Sequence, residues 1–193
     1  LDIIMRKDLI RGSLAVLVFT VLLGLAYPLA MTGIAQVAFP AKADGSLVGD
    51  RSTLLGQAWK GERYFQPRPS ATDYSASVTY FANRGPNQRA TRDLTRQHLD
   101  AYIQREGRYD RGLTAAQVPA DAATFSASGV DPHISKANAA IQAHRVAAVR
   151  RLPLARVAQL VEDSTDGRAL GIFGEPGVNV TKLNLALDRE ATR

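Results

Sequence analysis

Residues 12–39 read GSLAVLVFTVLLGLAYPLAMTGIAQVAF, a run of 28 residues without a single Asp, Glu, Lys, Arg or His. A helix rises about 1.5 Å per residue, so about 20 apolar residues cross a hydrocarbon layer of roughly 30 Å. The run is therefore long enough to span with some tilt. A helix in a soluble core turns one face to water and rarely stays apolar all round for this length. Pro28 and the glycines at 24 and 33 would weaken a soluble helix. In a membrane, neighbouring helices can satisfy the freed backbone groups. The run is expected to be one transmembrane helix.

A cleaved signal peptide is the competing reading. Arg6, Lys7 and Arg11 precede the run as an n-region would, and Ala41-Lys42-Ala43 has the small-x-small form of a cleavage site. The usual apolar region of a signal is only about 7–15 residues, far shorter than this one. Three cations before the span, against Lys42 and Arg51 soon after it, place the N-terminus in the cytoplasm by the positive-inside rule. Both readings export the larger part of the chain. The expected organisation is a cytoplasmic tail (1–11), a membrane helix (12–36), a linker (37–50) and an extracytoplasmic domain (51–193). Small residues at 24, 26, 30, 33 and 35 would let a partner helix approach closely.

The exported part is large enough for one domain with its own core. Beyond residue 11 it holds 21 basic and 16 acidic side chains, scattered rather than clustered. This mild excess fits ordinary solubility, with attraction to anionic lipid or an acidic partner as the functional reading. No nucleic-acid-binding module is present. Cysteine is absent, which removes disulfides, thiolate zinc sites and a cysteine nucleophile.

Local patterns predict a mixed α/β domain of the α+β type, with few strands and no sustained β-α-β alternation. Leu54 to Gln57 reads as a short strand. Residues 60–90, with three prolines and two glycines, read as irregular chain. Tyr64, Phe65, Tyr74, Tyr80 and Phe81 lie there among Arg63, Arg68 and Arg84, a mixture suited either to self-packing or to an interface. Thr91–Arg108 reads as an amphipathic helix with Leu94, His98, Leu99, Tyr102 and Ile103 on one face and Glu106 on the other, ended by Gly107. Thr114 and Gln117 form a capping box. Asp131 or Ser135 can cap a helix running to Arg151. Leu154–Ser164 follows with Val157, Leu160 and Val161 as its apolar stripe, and Thr165-Asp166-Gly167 ends it. Ala169–Phe173 reads as a buried strand and 174–177 as a turn; in 178–188, Val180, Leu183 and Leu187 fit a helix and Leu183, Leu185 and Leu187 fit a strand, with a helix after a short extended start at Val178 favoured.

Candidate chemistry is sparse. His133 with Asp131 and Ser135, or Glu175 on its turn, could suggest hydrolysis, but neighbours at a helix start do not converge on one reacting atom. Neither G-x-S-x-G nor H-E-x-x-H occurs, and the histidines at 98, 133 and 144 give no metal spacing. A phosphate-binding loop is missing as well. No catalytic residue, metal ligand or bound cofactor is expected. An accessory component of a membrane complex fits these features best; the alternative is a single-span anchored binding or scaffold protein.

An ordered set of motifs points further. It comprises Leu25-Ala-Tyr-Pro-Leu29, Thr32-Gly-Ile-Ala-Gln36, Phe39-Pro40, Leu55-Gly-Gln57, Tyr64-Phe65, Arg68-Pro-Ser-Ala-Thr72, Ser128-Gly-Val-Asp-Pro-His-Ile-Ser135, Gly174-Glu-Pro176 and Leu183-Asn-Leu-Ala-Leu-Asp188. In this order they resemble the KdpC family, the accessory chain of the bacterial Kdp potassium-transporting ATPase, over nearly the whole sequence. Two departures stand out: a bulky segment at 75–89, and Lys136 where the family usually has proline. The resemblance implies a non-catalytic component of a complex in the bacterial inner membrane. Its implied partners are the channel-like, potassium-binding KdpA, the ATP-hydrolysing P-type KdpB and the small KdpF. It further implies that the chain raises ATP affinity at KdpB, even by contacting ATP directly. With residue 47 onward outside, that effect would be indirect, through assembly. Gly24, Tyr27, Pro28, Thr32, Gly33, Arg68, Asp131, His133 and Glu175 are the candidate interface residues.

Overall fold

The computed structural model describes residues 2–78, 83–168 and 170–190. Tyr80 and Phe81, part of the 75–89 segment, and Ala169 lie outside the described residues. The chain forms two compact units, Leu1–Gly49 and Asp50–Arg193.

The first unit is one long helical run. Helix α1 (Asp2–Val21) passes through a π-helical turn, Leu22–Ala26, into α2 (Tyr27–Ala38). The π turn has a local cause. Pro28 carries no N–H for the carbonyl four residues back, and its ring crowds the preceding turn. The Tyr27 N–H donates instead to the Leu22 carbonyl, one residue further back than in an α-helix. Ile3–Ala38, 36 residues, is the one helix among the described residues long and apolar enough to cross a membrane, and its spanning window buries nothing within the chain. Helical residues thus continue beyond both ends of the expected 12–36 helix. Phe39, at φ −142°, breaks the helix before α3 (Pro40–Ala43). The short strand β1 (Leu47–Val48) closes the unit.

The second unit opens with β2 (Arg51–Ser52) and then stays irregular until α4 (Arg89–Glu106). Leu54–Gln57 is not a strand. Gly56 explains why: its N–H donates to the Val130 carbonyl at 2.7 Å, and a Cβ there would stand 2.5 Å from the Asp131 carbonyl oxygen. The segment is docked sideways on a loop rather than paired in a ladder. Thr114 and Gln117 make the expected capping box around a 3-10 turn at Ala115–Gln117. A single turn, α5 (Ala120–Ala123), precedes β3 (His133–Ile134).

Ser135, not Asp131, caps α6 (Lys136–Arg150), its hydroxyl accepting the Asn138 N–H at 3.1 Å. Arg151 closes that helix in the left-handed region at φ 57°, and Pro153 starts α7 (Leu154–Asp163). Thr165-Asp166 does more than end α7: it forms β4 (Thr165–Asp166). Strand β5 (Gly177–Asn179) runs into α8 (Val180–Glu190). β5 is the centre of a three-stranded antiparallel sheet, with His133 opposite Asn179 on one side and Thr165 opposite Val178 on the other. The unit mixes helix and sheet.

Ile134, Val146, Val157, Leu160, Val161, Val178, Val180, Leu183 and Leu187 build the core between the sheet and α6, α7 and α8. Phe65 is fully buried among them, so this aromatic of the irregular segment packs on its own domain. Side-chain amides hold the segment there. Asn184 accepts the Phe65 N–H and donates to its carbonyl, both at 2.9 Å, and Gln142 does the same for Gln66 at 2.8 and 3.0 Å. Each amide imitates a partner strand, satisfying backbone groups that burial would otherwise orphan.

Two further expectations fail outright. Glu106, assigned to the wet face of α4, is fully buried against Arg145, which is itself fully buried, with Nε 3.0 Å from Oε2. And 170–173 is neither buried nor a strand: Leu170, Ile172 and Phe173 are 89%, 72% and 64% exposed. Positive φ at Leu170, Gly171 and Gly174 folds these residues into a turn.

Candidate interface site

Three of the sequence-selected residues meet on one edge of the sheet. Arg68 lies in the irregular segment, while Asp131 and His133 lead into the edge strand β3. Arg68 Nη1 stands 3.3 Å from Asp131 Oδ2, and Nη2 donates to the Phe125 carbonyl at 3.1 Å. Asp131 Oδ1 accepts the His133 N–H at 2.9 Å, the side-chain turn that Asp favours before an extended residue. His133 Nε2 then reaches Asp166 Oδ2 at 2.9 Å, and Asp166 Oδ1 accepts from Lys182 Nζ at 2.8 Å. The result is one continuous line of paired polar groups, Arg68–Asp131–His133–Asp166–Lys182, crossing β3, β4 and the start of α8.

Backbone features hold this line in place. Ser70 donates to the Gly129 carbonyl at 2.6 Å and accepts the N–H groups of Thr72 and Tyr74 at 3.1 and 3.0 Å. Gly129 has φ 73°, and a Cβ there would lie 2.7 Å from Thr72 Oγ1. Only glycine fits both demands. The imidazole of His133 lies against Gly177 of β5, where an added Cβ would stand 3.1 Å from the His133 Cβ and 3.3 Å from its ring. The Tyr74 hydroxyl donates to the Arg68 carbonyl at 2.8 Å, and its burial, opposed by Arg105, pushes its pKa up to about 12.

Electrostatically the line is self-neutralising. Partial burial pushes the Asp166 carboxyl up, but the hydrogen bonds from His133 and Lys182 and the Lys182 charge outweigh it and hold the group below its ordinary value. Ser135 stands two residues from His133, yet its hydroxyl donates to Asp121 at 2.8 Å. His133, Asp131 and Ser135 therefore do not converge as a nucleophile with its base. Glu175 takes no part in the line; it pairs with Arg168 at 3.3 Å across the turn. Asp166, Lys182, Gly56 and Gly177 were missed from sequence. His133 and Asp166 lie 33 positions apart, and no local pattern links them.

In the first unit, Gly24, Tyr27, Pro28, Thr32 and Gly33 sit along the helix with exposed surfaces. A Cβ at Gly33 would meet nothing within 4 Å, and one at Gly24 only Thr20 at 4.0 Å. Both glycines leave bare backbone on the helix surface, the feature that lets another helix come close.

These features define a class, a small mixed helix-and-sheet domain carried with one bilayer-length apolar helix, as in a membrane-anchored protein. Comparison with known proteins names the family. Residues 9–189 match the family model for KdpC, "K+-transporting ATPase, c chain". The potassium-transporting ATPase KdpC subunit of Mycobacterium tuberculosis (strain ATCC 25618 / H37Rv) is 42% identical over 193 residues, covering 96% of this chain and 100% of the relative. Its namesake in Polaromonas naphthalenivorans (strain CJ2) is 47% identical over 191 residues, covering 94% and 95%. That of Bradyrhizobium diazoefficiens is 41% identical over 208 residues, covering 98% and 100%. The chain belongs to the KdpC family.

Proposed function

We propose that this chain is the accessory, non-catalytic component of an ATP-driven high-affinity potassium uptake complex of the bacterial inner membrane. The observation that carries this reading is the family match, which runs from residue 9 to residue 189 and so takes in the apolar helix as well as the domain. In this reading the helix is a working part, packed in the membrane against the channel-like, potassium-binding KdpA. The domain stands outside the cell and caps the outer mouth of that partner. ATP is used by the P-type KdpB, and the small KdpF completes the complex. Any rise in ATP affinity at KdpB then works through assembly, because the domain and the nucleotide lie on opposite sides of the membrane. The self-neutralised line from Arg68 to Lys182 supports a docking or scaffolding role over proton-transfer chemistry, since its acids and bases are already spent on each other.

Sidedness is the direct test. The chain has no cysteine, so Ser128→Cys, at an exposed position, introduces a single thiol. An impermeant maleimide should label it in intact spheroplasts. Labelling only after the cells are opened would refute the exported arrangement and make direct nucleotide contact the better explanation.

A further inference from the structure

The π turn between α1 and α2 separates backbone carbonyls from their helical donors. In an α-helix the Leu23 carbonyl would accept the Tyr27 N–H, but that N–H goes to the Leu22 carbonyl instead. The residue five positions beyond Leu23, which would serve it in a π pattern, is Pro28, and proline has no N–H. The Gly24 carbonyl stands four positions before Pro28 and loses its α-helical donor for the same reason. Side chains beside them offer no substitute, since residues 21–26 read VLLGLA and carry no side-chain donor. Residue 24 is also the midpoint of the expected 12–36 span. In a bilayer these carbonyls would therefore lie where neither water nor lipid tails supply a hydrogen bond.

The freed groups state what must come to them. They are acceptors, so the neighbour has to bring a donor. Backbone groups freed by proline in a membrane helix are met by neighbouring helices, and single π turns often stand at functional sites. A lysine or arginine is strongly unfavourable at this depth. The neutral donors that bond across membrane helices are Ser, Thr, Asn and Gln. Access suits so short a side chain: Gly24 has no Cβ, and one placed there would meet only Thr20, at 4.0 Å. A second copy inserted the same way round would bring the same open carbonyls to the same depth, acceptor facing acceptor. We infer that the Leu23 and Gly24 carbonyls form a socket for a Ser, Thr, Asn or Gln side chain on a transmembrane helix of another protein of the transport complex. The inference rests on the accessory role and the membrane packing proposed above, and deepens them by naming the contact point and the chemistry of its partner.

The test uses the full chain co-expressed with the other proteins of the complex. A diazirine analogue of leucine at position 23 adds a photo-crosslinker of nearly native size. Irradiation should join it to a transmembrane segment of one of those proteins, within one turn of a Ser, Thr, Asn or Gln. The same group at Leu14, about 14 Å further along the helix, should not reach that residue. A pair of substitutions then tests the hydrogen bond. Pro28→Ala returns the missing N–H and lets the helix close on itself; changing the crosslinked partner's donor to Ala leaves the carbonyls open. Each alone should lower recovery of the complex by about five-fold, and the two together no further than one. The domain, a separate compact unit, should melt unchanged in Pro28→Ala. Crosslinks only to lipid, to a second copy of this chain, to a segment without such a donor, or to nothing would overturn the inference. So would wild-type recovery of Pro28→Ala, or losses that add in the double variant. If the unaltered chain itself fails to co-purify with an ATPase, the accessory role falls too, and the two failures are thereby told apart.

Discussion

Gly56 shows how a single residue decides the local path of the chain. Its backbone is pressed onto the turn at Val130–Asp131, and the space a Cβ needs is filled by the Asp131 carbonyl at 2.5 Å. Neither side of that contact is a flexible side chain that could yield. Gly56→Ala is expected to lower domain stability by about 1–3 kcal/mol, the usual cost of overpacking. Thermal unfolding followed by circular dichroism checks this. Gly167→Ala is the control: a Cβ there meets nothing within 4 Å, and stability should change by less than about 0.5 kcal/mol. His133 shows the same dependence on distant residues. Its backbone N–H is held by Asp131, and its ring is placed by Gly177 beneath and by Asp166 ahead. Of these only Asp131 is close enough in sequence to be seen beside it.

At the level of elements, the apolar helix and the irregular segment behave differently. The helix takes its form from composition, and its π turn lies in the turn just before Pro28. Its glycines have no role inside this chain, since a Cβ at Gly33 would touch nothing. Gly33→Leu should therefore leave the melting of the domain unchanged while weakening recovery with the rest of the complex. A drop of roughly ten-fold corresponds to about 1.4 kcal/mol of lost helix packing. Full recovery of the variant would reduce the helix to a simple tether. The segment from 53 to 88 has almost no regular structure of its own among the described residues. Its order is borrowed from Gln142 of α6 and Asn184 of α8, whose amides bond the backbone of Gln66 and Phe65. By its composition the segment could be a docking loop or a self-packed one. For Phe65 the helices decide in favour of packing.

Across the molecule, each unit is stabilised differently. The second unit closes around the buried pair Glu106–Arg145. Arg145 also donates to the carbonyls of Glu62 and Tyr64 and to Gln142 Oε1, so one guanidinium joins α4, α6 and the irregular segment. Glu106→Gln leaves the Arg145 charge buried without its counter-ion. It should cost about 3–5 kcal/mol, read from the denaturant midpoint of the domain. Loss of the exposed Lys136–Glu162 pair in Lys136→Ala should cost less than about 1 kcal/mol. The sequence by itself determined the apolar helix, α4, α6 and α7, because each is written in periodicity, caps and prolines within a few positions, whereas the apolar spacing in α8 fitted a strand as well as a helix. It also held the ordered motifs that mark the family. Only the tertiary structure decided that Glu106 is buried, that Asp166 and Lys182 complete the line begun at Arg68, and that Leu170, Ile172 and Phe173 face outward. The physical reason is common to all three. A charge is buried when a partner from elsewhere in the chain neutralises it, and an apolar run is exposed when nothing in its own chain comes to cover it. Neither condition can be read from neighbours in sequence.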